Sequence, residues 1–467
     1  MTRAFDPARL RRAYVLGLGL SGGAAARLLA SRGVEVVGSD RRPAAALELG
    51  GLADAPGVEL RCGVEESELP AGVEAVVVSP GVALDHPLLA AARAAGLPVV
   101  AEVELAFAFL EGPVVAVTGS NGKSTTTAMT GALLAHAGIP VEVCGNIGLP
   151  LAAVVDGAAG RTFVVELSSF QLETIDRFRP RAAALLNLSP DHLDRHRDLA
   201  GYLAAKQRIF ARQTRDDVAV LNADEPEVAA SPTAARRRSF SLSTPVADGC
   251  RLEEGRVVER APGASARQLF AAADVPLPGP HNLENAMAAA LLALAAGAPA
   301  TGLAAGLRGF RGLPHRLERV GERAGVTYFD DSKGTNVAAT ARSLESFADG
   351  SVHVILGGRN KGADFRYLRA AALRKVRRAY LIGESAAELE RALAGATELS
   401  RSGTLAAAVS EAAERARTGD AVVLSPACAS FDQFRDYRDR GQSFQRLVRG
   451  LPGLVTEGRG GGQEARV

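Results

Sequence analysis

The chain has no tryptophan, and aromatic residues make up only 5% of it. With its wealth of alanine, this reads as a compositional bias from which no function follows. Cysteine is equally scarce. Cys62, Cys144, Cys250 and Cys428 stand far apart, with no CxxC pair, which excludes a disulfide framework and a cysteine zinc site and fits reduced thiols. No sign of charge dominates: 54 Lys and Arg against 52 Asp and Glu leave a net +2, so neither a nucleic-acid nor a membrane surface is expected. Any anionic ligand must then be held by a local cluster. Long apolar runs are also missing. The most apolar helical stretch, Ala286–Ala296, is about half of the ~20 residues a membrane span needs and stops at Gly297 and Pro299. Met1–Arg12 is charged, without the apolar region of a signal peptide. These absences predict a soluble, cytoplasmic protein.

At 467 residues the chain is too long for one hydrophobic core, and its 47% apolar and 23% charged residues are those of an ordinary globular protein. Short apolar runs at Ala13–Leu18, Val34–Gly38, Ala75–Val78 and Leu97–Val100 alternate with Ala/Leu-rich helical stretches, which predicts a parallel sheet with crossover helices. A second such unit has strands at Val114–Val117, Thr162–Val165 and Ala182–Leu186. The polar, irregular stretch Val228–Ala266 reads as an antiparallel excursion or surface insertion, and a helix starts near Asn282. Gly309–Pro314 is a turn-rich linker and candidate hinge. A third unit has strands at Val326–Phe329, Val352–Leu356, Arg378–Ile382 and Ala421–Leu424; the last dozen residues read as a frayed tail. The predicted class is α/β in three domains: a Rossmann-like domain at 1–102, a central P-loop-type ATPase domain with a parallel sheet at 103–312, and a Rossmann-like domain at 313–467.

The strongest signal is Thr118-Gly119-Ser120-Asn121-Gly122-Lys123-Ser124-Thr125, set between the strand Val114–Val117 and an apolar helix. Strand, Gly-rich turn and helix present backbone N–H groups and a helix N-terminus to phosphate. Lys123 would reach the terminal phosphates, and the Ser124 hydroxyl would bind magnesium. The usual Walker pattern has a further glycine where Val117 stands, so this is a shortened variant. The loop predicts nucleotide binding and is silent about what receives the phosphoryl group.

Gly17-x-Gly19-x-x-Gly22 follows the first strand, and Asp40 closes the second, a dinucleotide-binding layout with a pyrophosphate at a helix N-terminus and an acid near the ribose. Nothing in that motif separates NAD from another nucleoside diphosphate. The Ser79-Pro80-Gly81 turn would line the same crevice. In the second unit, strands end at Glu166 and at Asn187-Leu188-Ser189-Pro190-Asp191-His192-Leu193-Asp194-Arg195-His196. An acid past a strand end, downstream of a phosphate loop, is placed for magnesium. His192 and His196, four apart, would share a helical face, a weak metal signature by itself. Lys206 reads from its helical pattern as a solvated lysine.

Together with His281-Asn282-x-x-Asn285, these motifs resemble the Mur ligases and the related folylpolyglutamate synthetases, whose shortened loop agrees with Val117. Asp330-Asp331-Ser332-Lys333-Gly334-Thr335-Asn336, Leu356–Phe365 and Ser425–Phe434 look most like the branch of the family that adds D-glutamate; the Asn-Pro-Arg motif typical of the diamino-acid branch is missing. The resemblance spans nearly the whole chain. It implies an ATP-driven carboxylate–amine ligase acting on UDP-N-acetylmuramoyl-L-alanine and D-glutamate, as a monomer, with two magnesium ions. It further implies metal ligation by Ser124, Glu166, His192 and a carbamylated Lys206, which reverses the bland reading of that lysine. Asn146, Asn282, Asn285, Arg316 and Asp331 fall at positions around ATP. Lys333, Thr335, Lys361, Ser430 and Tyr437 fall at D-glutamate positions, Tyr437 where a Phe is common. Leu20, Ser21, Asp40, Arg41, Arg42, Ser79 and Gly81 would contact the uridine diphosphate, so that no nicotinamide is needed. A folylpolyglutamate-type ligase lacks the first unit and fits less well. An NAD-dependent oxidoreductase with an accessory ATP domain and a non-catalytic nucleotide sensor are the readings from other classes.

Overall fold

A computed structural model of the chain describes residues 5–157 and 160–455. The dozen residues read as a frayed tail fall outside them. Among the described residues the chain forms two compact units, one made of residues up to 272 and 285–307, the other of 273–284 and 308–455.

The first unit carries two sheets. In the first, β1 (Arg12–Leu16), β2 (Glu35–Asp40), β3 (Val58–Cys62), β4 (Ala75–Val78) and β5 (Val99–Ala101) lie parallel in the order β3-β2-β1-β4-β5. Successive side chains of a strand point to opposite faces. Ala13 and Val15 therefore pack with Leu28 and Leu29 of the helix Leu20–Ser31, and Tyr14 and Leu16 with Leu88 and Leu89 of the helix Pro87–Ala94. Both faces being covered, the strand is apolar from Ala13 to Leu16 instead of alternating. The order reverses at β1 and β4, so a crevice opens past their carboxyl ends, where Gly17–Gly22 and Ser79–Gly81 lie.

The second sheet runs β14-β13-β12-β11-β10-β9-β6-β8-β7, from β6 (Val114–Thr118), β7 (Val141–Gly145), β8 (Thr162–Glu166), β9 (Ala182–Leu185), β10 (Val218–Asn222), β11 (Arg236–Ser241), β12 (Gly249–Glu253), β13 (Arg256–Arg260) and β14 (Arg267–Ala271). The strands from β7 to β12 pair in parallel, and β12, β13 and β14 form an antiparallel meander at the edge. The antiparallel excursion read from the sequence thus begins at β12; β11, within the same irregular stretch, still pairs in parallel. β6 lies between β8 and β9, so Glu166 and Asn187 arrive beside the loop that follows β6. The short helix Glu102–Phe107 belongs to this layer. Glu104 accepts the N–H groups of Asp176, Arg177 and Phe178, and buried Glu102 accepts that of Ala152. Burial pushes Glu102 up to about 7.

The second unit has one sheet, β15-β16-β20-β17-β18-β19, from β15 (Glu318–Arg323), β16 (Val326–Asp330), β17 (Val352–Gly357), β18 (Val376–Ile382), β19 (Glu398–Gly403) and β20 (Ala421–Leu424). Only β15 is antiparallel to its neighbour. Asp330, Gly357 and Leu424 are the carboxyl ends of three adjacent parallel strands, so the segments 331–336, 358–365 and 425–437 leave one edge together.

Candidate active site

The loop after β6 is bonded to the end of β9. Ser120 N–H donates to the carbonyl of Asn187 at 3.1 Å, and Asn121 N–H to its Oδ1 at 2.9 Å. Asn187 Nδ2 returns a bond to the Asn121 carbonyl, and Ser189 N–H one to Ser120 Oγ. Gly122 has φ +82, and a Cβ there would fall 2.2 Å from Asn285 Oδ1, so only glycine fits where the helix Lys123–His136 begins. Thr126 Oγ1 donates to the same Asn285 oxygen. Asn285 thereby braces the turn; Asn282, three residues earlier on the helix Pro280–Ala295, donates to the Pro278 carbonyl.

Two lysines meet at this loop. Lys123 Nζ donates to the carbonyls of Gly119 and Ser120, each at 2.9 Å, and Lys206 Nζ donates to Gly119 at 2.8 Å. Lys206 is buried and lies 4.2 Å from the ring centroid of Tyr202. Its burial, and then the charge of Lys123, hold its pKa well below the usual lysine range. The solvated lysine read from the helical pattern is thus corrected: this side chain lies inside the protein. Glu166 is buried too. Its Oε1 accepts Asn146 Nδ2 at 2.7 Å, while its Oε2 is buried without a hydrogen-bond partner. A buried carboxylate oxygen left unpaired is costly unless a cation meets it. Ser124 and Thr125 are buried in the first turn of the helix after the loop.

His192 and His196 do not share a helical face. The helix covers only Leu193–His196, and His192 precedes it with φ +53. His196 is buried, pairs with Ser169 Oγ at 2.9 Å and approaches Glu173 at 3.5 Å; burial lowers its pKa. His192 stays exposed, edge-on to the Phe170 ring at 4.9 Å. Of the two, only His192 is exposed.

A cavity of about 660 Å³ opens past β1 and β4. Leu20, Ser21, Asp40, Arg41, Arg42, Ser79 and Gly81, the full set expected to meet the uridine diphosphate, line it, and so does Asn146. Asn146, placed near ATP by the resemblance, therefore stands between this cavity and Glu166. A Cβ on Gly22 would fall 1.8 Å from the Gly17 carbonyl, and Ser79 Oγ donates to that carbonyl at 2.7 Å. On the cavity wall Asp40 accepts Leu18 N–H and a two-pronged bond from Arg42 Nε and Nη2, at 2.8 to 3.0 Å. The Arg42 guanidinium lowers Asp40 to about 2. Glu65, Glu66 and His86 also line the cavity and were not singled out from the sequence.

In the second unit Asp331 is buried, accepts Ser343 and Ser425 hydroxyls at 2.6 and 2.7 Å and the Leu317 N–H at 3.3 Å, and burial raises it to about 6. Lys333 Nζ lies 3.8 Å from the Tyr437 ring centroid. Thr335 follows in the same turn, its N–H on the Lys333 carbonyl. Arg359 and Ala429 exchange backbone bonds, which brings the Gly358–Phe365 segment, with exposed Lys361, beside the segment ending in buried Ser430. Arg316 sits between His315 (φ +62) and Leu317 (φ +47), a strained backbone of the kind found at functional turns.

Three features of this edge carried no sequence signal. Arg440, 1% exposed, donates to the Ser332 hydroxyl and carbonyl and to the Cys428 carbonyl, tying two of the segments together; burial lowers it to about 10. Among the described residues, His315, Glu318 and Asp330 form the one cluster with metal-ligand spacing. His315 Nδ1 bonds Asp330 Oδ2 at 2.7 Å, and Gln445 Nε2 bonds both carboxylates, so the cluster satisfies itself as a hydrogen-bond network. His315 also faces the Tyr437 ring edge-on.

Residues 11–101 match the family described as Mur ligase MurD-like, N-terminal domain; residues 117–293 match the Mur ligase middle domain, and 315–428 the Mur ligase, glutamate ligase domain. The chain belongs to the Mur ligase family. This Mur ligase is 45% identical over 446 residues to the UDP-N-acetylmuramoylalanine–D-glutamate ligase of Acidobacterium capsulatum, covering 94% of this chain and 96% of that one. It is 46% identical over 450 residues to the protein of the same name from Anaeromyxobacter dehalogenans, covering 94% and 97%. Its fold is that of the MurF ligase from Thermotoga maritima in complex with ADP, with a TM-score of 0.58 at 16% identity over 96% of this chain and 99% of the other. The oxidoreductase and sensor readings fall away: this family member is an ATP-dependent ligase. Among the described residues no helix is long and apolar enough to cross a membrane.

Proposed function

We propose that this Mur ligase joins D-glutamate to UDP-N-acetylmuramoyl-L-alanine in peptidoglycan precursor synthesis, in the cytoplasm, as a monomer. The observation that carries the chemistry is the pairing of the zipped phosphate loop with a buried, unpartnered Glu166 oxygen and a buried Lys206. The acceptor is supported by relatives that bear that name and by Lys333, Lys361 and Ser430 at one sheet edge. The working domains are 1–102 for the UDP substrate, 103–312 for ATP and 313–467 for the amino acid.

ATP gives its terminal phosphoryl group to the alanyl carboxylate, releasing ADP and forming an acyl phosphate. The D-glutamate amine attacks the acyl carbon, and the tetrahedral intermediate expels phosphate to leave the amide. The loop N–H groups and Lys123 hold the ATP phosphates and stabilise charge as it moves. Lys333 and Lys361 supply two cations for a dicarboxylate, with Thr335, Ser430 and Tyr437 as neighbours. Ser124, Glu166, His192 and Lys206 would hold two magnesium ions, which neutralise phosphate charge when bound. A neutral amine is the form that adds CO2, losing a proton to become a carbamate, and the depressed Lys206 favours it. A carbamate would turn a repelled cation into an anionic ligand.

Phosphate release from ATP tests this reading: it should require the muramoyl-alanine acceptor and D-glutamate together. Release with either one alone would contradict it.

A further inference from the structure

Arg195 is held on all sides. Its Nε and Nη2 donate to Glu173 Oε2 at 3.0 and 2.6 Å, and its Nη1 donates to the carbonyls of Pro80 at 3.1 Å and Val82 at 2.9 Å. The guanidinium carbon lies 4.3 Å from the centroid of the Phe170 ring, on which His192 and His196 also pack. Its side chain is only 17% exposed. Pro80 belongs to the turn that lines the cavity beside the first sheet, whereas Arg195 itself stands three residues after His192, next to the phosphate loop's partner segment. One guanidinium thus ties the cavity wall to the segment that carries His192.

We propose that Arg195 is a positioning residue for the ligation, fixing the Ser79-Pro80-Gly81 turn relative to the His192 segment so that a substrate seated by its nucleotide in the cavity presents its far carboxylate to ATP. The proposal rests on reading the cavity as the UDP site. The substrate is long, and its two ends are read by elements of different sheets. Only a rigid link between those elements converts binding at one end into alignment at the other, and a misplacement of ~1 Å can cost on the order of 100-fold in rate. A planar fork is needed for the task. Its donors point from three nitrogens in fixed directions to a carboxylate on one side and two carbonyls on the other, whereas a lysine's three donors radiate from one nitrogen.

The test uses the full-length Arg195→Lys and Arg195→Met enzymes, with kinetics for each substrate and calorimetry with free UDP. Free UDP needs the cavity alone. The expected result is a fall of about tenfold or more in kcat/KM for the UDP-linked acceptor, with free UDP affinity and the KM for D-glutamate within about twofold of wild type. Kinetics like wild type, or equal losses for free UDP and the whole acceptor, would overturn it. Should those variants not fold, Glu173→Gln, which removes the carboxylate anchoring Arg195, should give the same pattern more weakly; no change overturns the proposal. Arg42→Ala separates the two claims. If it leaves free UDP binding intact, the cavity reading fails and the proposal with it; if it weakens UDP while the Arg195 variants are silent, the proposal alone fails.

Discussion

Lys206 and Lys123 place their side-chain nitrogens 2.8 and 2.9 Å from one carbonyl oxygen, that of Gly119. Two ammonium groups so close are in conflict, and burial together with the Lys123 charge holds the pKa of Lys206 well below the usual lysine range, which favours the neutral amine that adds CO2. The account therefore predicts dependence on CO2. Enzyme prepared free of bicarbonate should lose activity and regain it on adding bicarbonate. Lys206→Ala should cost at least ~100-fold, the upper range for losing even an outer partner of a metal, and short carboxylates should restore part of it. Insensitivity to both additions would remove the carbamate from the mechanism.

Glu166→Gln keeps an acceptor for Asn146 Nδ2 but replaces the unpartnered Oε2 by a neutral amide. A fall in kcat of about 100-fold or more is expected, of the size seen when one charge-stabilising group is removed. ATP binding should weaken when magnesium is present and stay unchanged in EDTA. Equal weakening under both conditions would point to a packing defect.

Lys361 is exposed, and among the described residues it takes no hydrogen bond or ion pair that would make it structural. Lys361→Ala should raise the KM for D-glutamate about tenfold or more with kcat nearly unchanged, because it removes a contact made equally in ground and transition states. Steady-state kinetics checks this, and an unchanged KM would take Lys361 out of the amino-acid site.

Asp40 has its carboxyl lowered from the ordinary 3.8 to about 2 by Arg42. A depressed carboxyl stabilises the fold above its unfolded pKa and loses that contribution as pH falls through the folded one. Asp40→Asn should therefore unfold more easily by ~1–2 kcal/mol at pH 7, a figure discounted because Arg42 is half exposed. Urea titrations at descending pH should show the gap close between about pH 4 and 2. A gap that widens on acidification would contradict the assignment.

Arg440→Met should cost ~2–4 kcal/mol, since the carbonyls of Ser332 and Cys428 lose buried donors. It should also raise the KM for D-glutamate, because the Lys333 and Ser430 segments are no longer tied. Chemical denaturation with kinetics on the same variant checks both.

What was legible in the sequence was local. The run Val114–Val117 announces itself as unbroken and apolar because sheet neighbours and helices cover it, and the glycines beside it mark the loop. The edge strand β19 was not legible: Glu398–Gly403 is polar, half exposed and paired on one side only. The site shows the same divide. The cavity-lining residues follow strand ends and could be carried over by position. Lys206 looked solvated because helical spacing does not reveal which neighbouring sheet covers a helix. Arg195 and Arg440 work through carbonyls distant in sequence, and no local pattern announces such contacts.

The central claim is the identity of the bond formed. Wild-type enzyme with ATP, magnesium and UDP-N-acetylmuramoyl-L-alanine should be given labelled D-glutamate in one reaction and labelled L-glutamate in another. The account predicts label in a UDP-linked product, with one ADP and one phosphate per amide, from the D enantiomer only. No labelled product with D-glutamate, or equal labelling from both, would contradict it.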